Sequence, residues 1–387
     1  MTTKAKITAI IAAAAFILLI RLIFFGGSAA GLKPVSVQAG QDLTYAYDSG
    51  ASFYSYNSNG FFFCTKDGVK YLSSKGVQQW EEVINLTSPV LYGKCDFLAV
   101  GESNGRAVYV FNTLGKTMEC SLDAQALNFS VNRNGDLTVI LQTSSGYRVE
   151  TYEPGKDEAV WYYEIVEPNM YPISADTSPD GKVTAISVLD LSPDAHNSMT
   201  TQIMFMYTDK SDMLKLASAD GVFAGETLPD QIARVYFMDN RLLAVSDKYI
   251  TAYSVGGKDK VKQDWQLVLA NKISQFSAFG EAGFSFITGD PLPGSGRPSE
   301  AGILNFYNMD GRRTGKYAFG GGADYLSMNW GGAIVGNGGD FTAVNNRGGV
   351  IWQYKSLTGL KQLIFLDNEN TALSVGSTSA YIMRRGA

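Results

Sequence analysis

The chain repeats a pattern of four short strands about every 42 residues, a period typical of repeat architectures. In the clearest unit, which runs from Ile232 to Leu269, the segments VYFM, RLLAVSD, YITAYSV and KQDWQLV follow one another. Each segment is rich in β-branched and aromatic residues, and turn residues such as Asp239–Asn240 and Gly256–Gly257 separate them. The pattern therefore predicts units of four β-strands.

The same order can be traced along most of the chain. Further units are predicted at 51–84, 87–121, 125–165, 171–217, 273–319 and 324–357. A four-stranded unit cannot bury both of its faces alone, and such units stack radially into a ring. The predicted fold class is all-β, a β-propeller of four-stranded blades.

The two ends of the chain bear on the number of blades. KQLIFLD, TALSVGS and SAYIMR follow Thr358 and supply three strands where four are expected. Because an unpaired outer position would leave an exposed sheet edge, we predict that PVSVQA at 34–39 is the outer strand of the last blade. This closure gives eight blades, and seven is the alternative if the unit at 51–84 is divided differently.

Two distant segments, SSKGVQQWEE at 73–82 and NNRGGVIWQY at 345–354, share one arrangement of glycine and tryptophan. The glycine is predicted to lie in the turn between the third and fourth strands, where a positive φ is often required. Trp80 and Trp352 then fall in outer strands, where they can pack against a neighbouring blade. The segments FNTLGKTMEC and YNMDGRRTGKY keep the glycine but lack the tryptophan, so the repeat is degenerate.

This arrangement resembles the repeat of quinoprotein-like propellers, which are similar to WD40-type propellers in their four-stranded blades. The layout also resembles the single-pass propeller proteins of Gram-positive bacteria, a family of unknown function. The resemblance extends loosely over residues 33–387 and concerns fold. It also raises a quinone-dependent dehydrogenase as a possible function. In that class a vicinal disulfide often covers the cofactor, and this chain has no adjacent cysteines.

Residues 7–25, ITAIIAAAAFILLIRLIFF, are the one strongly apolar run of the chain. Nineteen helical residues would span about 28 Å, close to the thickness of a bilayer core. Lys4 and Lys6 precede the run, so the positive-inside rule predicts a cytoplasmic N-terminus. The predicted order is a cytoplasmic stub (1–6), a transmembrane anchor (7–25), a linker (26–32) and an extracytoplasmic propeller (33–387). The alternative is a signal peptide cleaved near Ser28 and Ala30.

The composition restricts the classes of partner. A net charge of −5 and a pI near 5.1 argue against nucleic acid, because phosphate binding needs a basic surface. The chain contains three cysteines, Cys64, Cys95 and Cys120, at wide and irregular spacing. Cys64 lies within FFFC and is predicted to be a buried strand residue. A disulfide and a reactive thiol are the alternatives for this set.

The search for catalytic or metal-binding residues predicts none, and no cofactor. His196 is the one histidine, so any imidazole-based metal site or catalytic triad would depend on it. It lies with Asp194 in the polar segment DLSPDAHNSM, which lacks the spacing of a calcium loop. The most unusual local composition is GDPLPGSGRPSEAG at 289–302, which includes Asp290, Arg297 and Glu300. Such a loop on a rigid scaffold is a favoured place for recognition.

These observations predict a non-catalytic protein-interaction scaffold anchored in a bacterial cell membrane. The predicted partners are other envelope or membrane proteins, and the candidate contacts are Asp290, Arg297, Glu300, Asp194 and His196. The alternative function is a sensor that binds a small ligand or a cell-wall glycan, suggested by the 21 tyrosines. Three long insertions, at 190–200, 217–230 and 289–301, are predicted to lie on one face, turned away from the membrane.

Overall fold

The structure is a computed structural model that describes residues 30–34, 43–56, 59–192, 200–208, 222–228, 232–255, 261–280, 283–289, 302–320, 322–357, 359–366 and 369–385. The regular elements in these ranges are β-strands, and no α-helix occurs there. Accordingly, no helix long and apolar enough to cross a membrane is found in the described part of the chain. The predicted anchor at 7–25 lies outside the described residues.

Four of the sheets each consist of four consecutive strands, antiparallel to their neighbours. The first is β3–β6 (Ser52–Tyr54, Gly60–Thr65, Gly68–Ser73, Gln78–Val83) and the second is β14–β17 (Met170–Thr177, Val183–Asp190, Thr200–Tyr207, Val222–Leu228). The third is β18–β21 (Ile232–Met238, Arg241–Ser246, Tyr249–Val255, Val261–Val268) and the fourth is β22–β25 (Ile273–Ala278, Phe284–Thr288, Gly302–Tyr307, Arg313–Phe319).

A seven-stranded sheet contains β7–β13 (Pro89–Lys94, Phe97–Glu102, Gly105–Asn112, Gly115–Val131, Leu137–Gln142, Tyr147–Tyr152, Trp161–Ile165). Its longest strand, β10, changes register between Ser121 and Ala126. The part before this shift pairs with β9, and the part from Gln125 onward pairs with β11. β10 therefore serves as the fourth strand of one unit and the first strand of the next.

A nine-stranded sheet joins the two ends of the chain. It contains β1 (Ala30–Pro34), β2 (Leu43–Thr44), β26–β29 (Tyr325–Met328, Gly332–Asn337, Asp340–Asn345, Val350–Lys355) and β30–β32 (Gln362–Phe365, Thr371–Val375, Ser379–Arg385). β1 is antiparallel to β32, with Leu32 opposite Arg385, and its first residues run parallel to β29. β2 continues the pairing along β32. The N-terminal strands thus complete the last unit and tie it to the unit before it.

The four-stranded units are the blades of a β-propeller, and the hydrophobic core lies between adjacent blades. In one such layer, Ile287 and Leu304 pack with Val335 and Val344 of the next blade. Successive side chains of a buried strand contact the two neighbouring blades in turn, because they point to opposite faces of the sheet. Each blade therefore buries both of its faces.

The antiparallel order gives the ring two distinct faces. The turns between first and second strands and between third and fourth strands share one face, which we call the hairpin face. The turns between second and third strands share the opposite face with the links from blade to blade, and we call this the connection face. The turn at Gly76 lies on the hairpin face, and the link at 84–88 lies on the connection face.

The predicted turn glycines and outer-strand tryptophans are confirmed. Gly76 and Gly348 have φ of 80° and 90° in the turns before β6 and β29. Trp80 stacks on Phe111 of the following blade. At Gly315, which takes the place of the tryptophan in β25, an added Cβ would lie 2.5 Å from the backbone of Arg347 in the following blade. The tryptophan is absent there because the next blade's turn fills its position.

One detail of the sequence interpretation requires correction, and another lies largely outside the described residues. The described closing strands are Ala30–Pro34 and Leu43–Thr44, which both pair with β32. Of the strand predicted at 34–39, Pro34 lies opposite Met383, and residues 35–39 lie outside the described residues. The insertion predicted at 217–230 is wrong, because Val222–Leu228 is the outer strand β17. The chain between β16 and β17 therefore leaves and re-enters the sheet on the hairpin face. The strand was missed because Gly221, Gly225 and Pro229 are residue types that are typical of loops.

Candidate functional site

A cavity of about 400 Å³ lies on the axis of the ring. Its wall is formed mainly by the first strands of blades, β3, β7, β18, β22, β26 and β30, with Arg133 and Pro179 from neighbouring turns. First strands meet there because each blade places its fourth strand on the outside. We call this space the axial cavity.

Aromatic side chains form much of the wall of the axial cavity. Tyr236 packs against Phe276 with ring centroids 5.4 Å apart. The Tyr54 hydroxyl donates to the Cys95 carbonyl at 3.0 Å, and the Tyr325 hydroxyl donates to the Leu363 carbonyl at 2.8 Å. Burial raises the pKa of Tyr54 and of Tyr325 (to about 12), so these phenols are neutral hydrogen-bond donors at ordinary pH.

A buried ion pair joins three blades beside the cavity. The Lys94 ammonium, at the end of β7, lies 2.6 Å from the Asp176 carboxylate of β14. The same carboxylate oxygen accepts the backbone N–H of Phe237 in β18 at 2.7 Å. Burial raises the pKa of Asp176 above its usual value, although the Lys94 charge and the Phe237 hydrogen bond oppose the rise. Because its side chain is fully buried, Asp176 depends on these partners.

The end of the cavity nearest the hairpin face carries a second ion pair and a thiol. The Arg133 guanidinium contacts the Asp239 carboxylate of a non-adjacent blade. Cys95 is half-buried in a turn with φ of 54°, and Tyr56 hydrogen-bonds to its side chain. Burial raises the pKa of the Cys95 thiol, an effect that the Tyr56 hydrogen bond and the nearby cations oppose. The thiol is therefore protonated near neutral pH.

The third cation of the cavity is Arg234, in β18. Its Nη1 donates to the Tyr236 hydroxyl at 3.2 Å. Among the described residues no carboxylate forms an ion pair with Arg234, whereas both Lys94 and Arg133 are paired. The axial cavity thus presents one uncompensated guanidinium among neutral phenols, which is an arrangement suited to binding an anion.

None of the contact residues predicted from the sequence is among the described residues that line the axial cavity. Asp290, Arg297, Glu300, Asp194 and His196 all lie outside the described residues. The ends of the two segments that carry them, at Ser192 and Gly289, lie on the connection face. Across the described ranges, no cluster of His, Cys, Asp and Glu is arranged to hold a metal ion.

The cysteines follow the structural prediction. Cys64 is fully buried in β4, as predicted, and Cys120 is buried in β10. Burial raises the pKa of each of these two thiols to about 12. Cys64, Cys95 and Cys120 are all free thiols in the structure.

A family model described as a family of unknown function (DUF5711) matches residues 33–384. The chain belongs to this family. No curated protein matches the chain.

Solved structures similar to the chain are β-propellers. BamB from Moraxella catarrhalis is 14% identical, with a TM-score of 0.49 over 91% of this chain and 99% of that one. The β-propeller domain of Cps50 (Swd1) from Myceliophteria thermophila is 9% identical, with a TM-score of 0.48 over 89% of this chain and 99% of that one. Identities this low concern the fold alone.

Sequence reasoning missed the residues of the axial cavity, although a signal for them was present. Lys94, Asp176 and Arg234 are charged residues within otherwise apolar first strands. A first strand lies at the axis, so a charge in it marks a polar lining or a buried pair. Which of these charges meet across the ring depends on the angle between blades, and local sequence does not contain that information.

Proposed function

We propose that the protein is an eight-bladed propeller held at the outer side of a bacterial cell membrane, where it acts as a non-catalytic protein-interaction scaffold of the cell envelope. Its partners are envelope or membrane proteins, and it takes no cofactor and no nucleic acid. The single observation that carries this proposal is the row of exposed apolar side chains on the connection face.

Four of these side chains occupy equivalent places, at or just after the end of an outer strand. They are Val83, Val166, Val268 and Leu357. Leu357 is 97% exposed and Val83 is 73% exposed. Apolar side chains left in water around one face favour contact with another protein.

The direction of β1 orients this face. β1 runs antiparallel to β32 and begins at the hairpin face with Ala30. Four residues, 26–29, separate Ala30 from the apolar segment 7–25, a reach of at most about 14 Å. If that segment is a membrane anchor, the hairpin face lies towards the membrane and the connection face points away from it.

The segments that carry the sequence-predicted contacts leave and re-enter the described structure at strand ends on the connection face. Residues 193–199 connect β15 to β16, and residues 290–301 connect β23 to β24. Both are links between second and third strands. We therefore propose Asp194, His196, Asp290, Arg297 and Glu300 as polar contacts that surround the apolar positions of the connection face.

Site-specific photo-cross-linking tests the proposal with two matched leucines. Leu357 lies on the connection face and Leu114, 88% exposed, lies in a turn of the hairpin face. A photoreactive residue replaces each in turn in the full chain, expressed in its own membrane. We expect a discrete protein adduct from position 357 and none from position 114. An adduct from 114 alone, or from neither position, contradicts the proposed face.

A second candidate function, the binding of a small ligand, is favoured by one specific observation. This is the uncompensated Arg234 in the axial cavity. The two functions use different parts of the ring and do not exclude each other.

A further inference from the structure

Three described cationic side chains line the axial cavity, and they differ in whether a carboxylate pairs with them. Lys94 is satisfied by Asp176, and Arg133 is satisfied by Asp239. Arg234 hydrogen-bonds to the Tyr236 hydroxyl and has no carboxylate partner within the described ranges. One guanidinium group therefore keeps most of its five N–H donors available to a ligand.

Neutral donors surround this guanidinium. Two phenols, those of Tyr236 and Tyr92, lie close to Arg234. Tyr92 comes from β7, on another blade. Burial raises the pKa of both phenols, so each remains protonated and can donate a hydrogen bond to an anion. The described carboxylates of Asp176 and Asp239 beside the cavity are each paired with a cation, Lys94 and Arg133 respectively, which reduces their repulsion of an anion.

The remainder of the wall is apolar and aromatic. Phe276 packs against Tyr236 with the two rings tilted, and Leu91, Leu326 and Tyr325 also line the cavity. A volume of about 400 Å³ lies within the range of ordinary small-molecule sites. Such walls favour ligands with a flat aromatic ring, since aromatic pairs gain energy in offset and edge-on arrangements.

We propose that the axial cavity binds a small aromatic carboxylate, whose carboxylate group pairs with Arg234 and whose ring packs among the tyrosines and Phe276. The protein as a whole carries a charge of −5, so long-range attraction does not bring such an anion in. Recognition is local and rests on Arg234. The proposal goes beyond the scaffold role and does not depend on it.

Isothermal titration of the full chain in detergent tests this site with defined probes. The probes are benzoate, 4-hydroxyphenylacetate and indole-3-acetate, each paired with its neutral amide and titrated to about 10 mM. We expect at least one acid to bind at a ratio of one per chain, and its amide to bind at least about tenfold more weakly, because the amide cannot form the charged pair.

Two arginine variants test which cation of the cavity binds the acid. Arg234→Gln removes the unpaired guanidinium, and we expect it to weaken binding of the acid at least about tenfold. Arg133→Gln is the matched control, because Arg133 lines the same cavity but is already paired with Asp239. It should bind the acid within about twofold of the wild type. Thermal unfolding of both variants confirms that the ring is intact.

Three results would each overturn the proposal. One is that no acid binds by about 10 mM. Another is that the amides bind as well as the acids. The third is that Arg234→Gln, still folded, binds the acid no more weakly than Arg133→Gln does. None of these results affects the cross-linking from Leu357, so this site and the scaffold role fail independently.

Discussion

The blades are joined by different interactions at the outside of the ring and at its axis. At the outside, the indole N–H groups of Trp80, Trp265 and Trp352 each donate to a backbone carbonyl of the following blade, at 2.9, 3.1 and 2.9 Å. At the axis, the charged pair Lys94–Asp176 connects blades that are not neighbours. The outer contacts repeat from blade to blade and are largely apolar. The axial pair Lys94–Asp176 is charged and buried, and it has no counterpart in the repeated outer contacts.

The outer contacts and the axial contacts therefore contribute differently to the stability of the ring. Outer contacts gain most of their energy from burying aromatic area, which tolerates variation between blades. A buried ion pair contributes little net energy and becomes costly once either partner is lost. We therefore expect the outer contacts to dominate stability, and the axial charges to affect its dependence on pH.

The largest expected effect comes from removing β1 and β2, the outermost strands of the last blade. A chain that begins at Gly50 leaves the edge of β32 unpaired and breaks the link to β29. At about 1 kcal/mol for each lost backbone hydrogen bond, the cost is on the order of 5 kcal/mol. Urea denaturation of this truncated ring, compared with one that begins at Ala30, measures it. Equal midpoints would show that these strands do not close the ring.

The next largest effect distinguishes two of the outer tryptophans. Trp352 is fully buried, whereas Trp80 is half-buried. Trp352→Ala should lower the free energy of unfolding by about 3–5 kcal/mol, and Trp80→Ala by about 2 kcal/mol, because less area is lost there. Trp352→Phe isolates the indole hydrogen bond to Glu369 and should cost about 1 kcal/mol beyond packing. Equal losses for the two alanine variants would contradict this ranking.

The smallest effect is a dependence on pH from the axis. Burial raises the pKa of Asp176, so the folded chain binds this proton more readily than the unfolded chain. Its contribution to stability is therefore fully present below the unfolded value, near 3.8, and is lost as the pH rises through the folded pKa. Asp176→Asn lacks this term.

Urea denaturation of the wild type and of Asp176→Asn across pH 3.5–7 measures the term. The difference in unfolding free energy, wild type minus variant, should decrease as the pH rises, by no more than about 1.4 kcal/mol for each unit of pKa shift. A difference that increases with pH would show that the Lys94 charge outweighs burial and lowers the pKa of Asp176.

The same division explains how much could be predicted from the sequence. The four-stranded pattern, the turn glycines Gly76 and Gly348 and the outer position of Trp80 and Trp352 are repeated local features, and the structure confirms them. The unit predicted at 171–217 instead extends to Leu228. Pro34 of the predicted closing strand pairs with β32, but the start of this strand at Ala30 was not predicted, because Ala30–Pro34 lacks the alternating apolar pattern of a strand. A short edge strand is specified by its partner more than by its own residues.

The axial site could not be predicted because its members come from separate blades. Arg133 meets Asp239 and Lys94 meets Asp176 across the ring, and no spacing in the sequence relates the members of either pair. Arg234 differs from Lys94 and Arg133 in having no carboxylate partner among the described residues. The candidate contacts at 290–300 stay predictions, since they lie outside the described residues.

The pairing of β1 with β32 also sets the order of events during synthesis. β1 is synthesised long before its partner β32, and until β32 is available the chain can form only an open arc of blades. Contacts between the ends of a chain form slowly, because a loop of nearly the full length must close. During that interval the unpaired edges at both ends of the arc can pair with other chains. A nascent ring of this kind therefore benefits from any factor that shields its ends until the last residues have emerged.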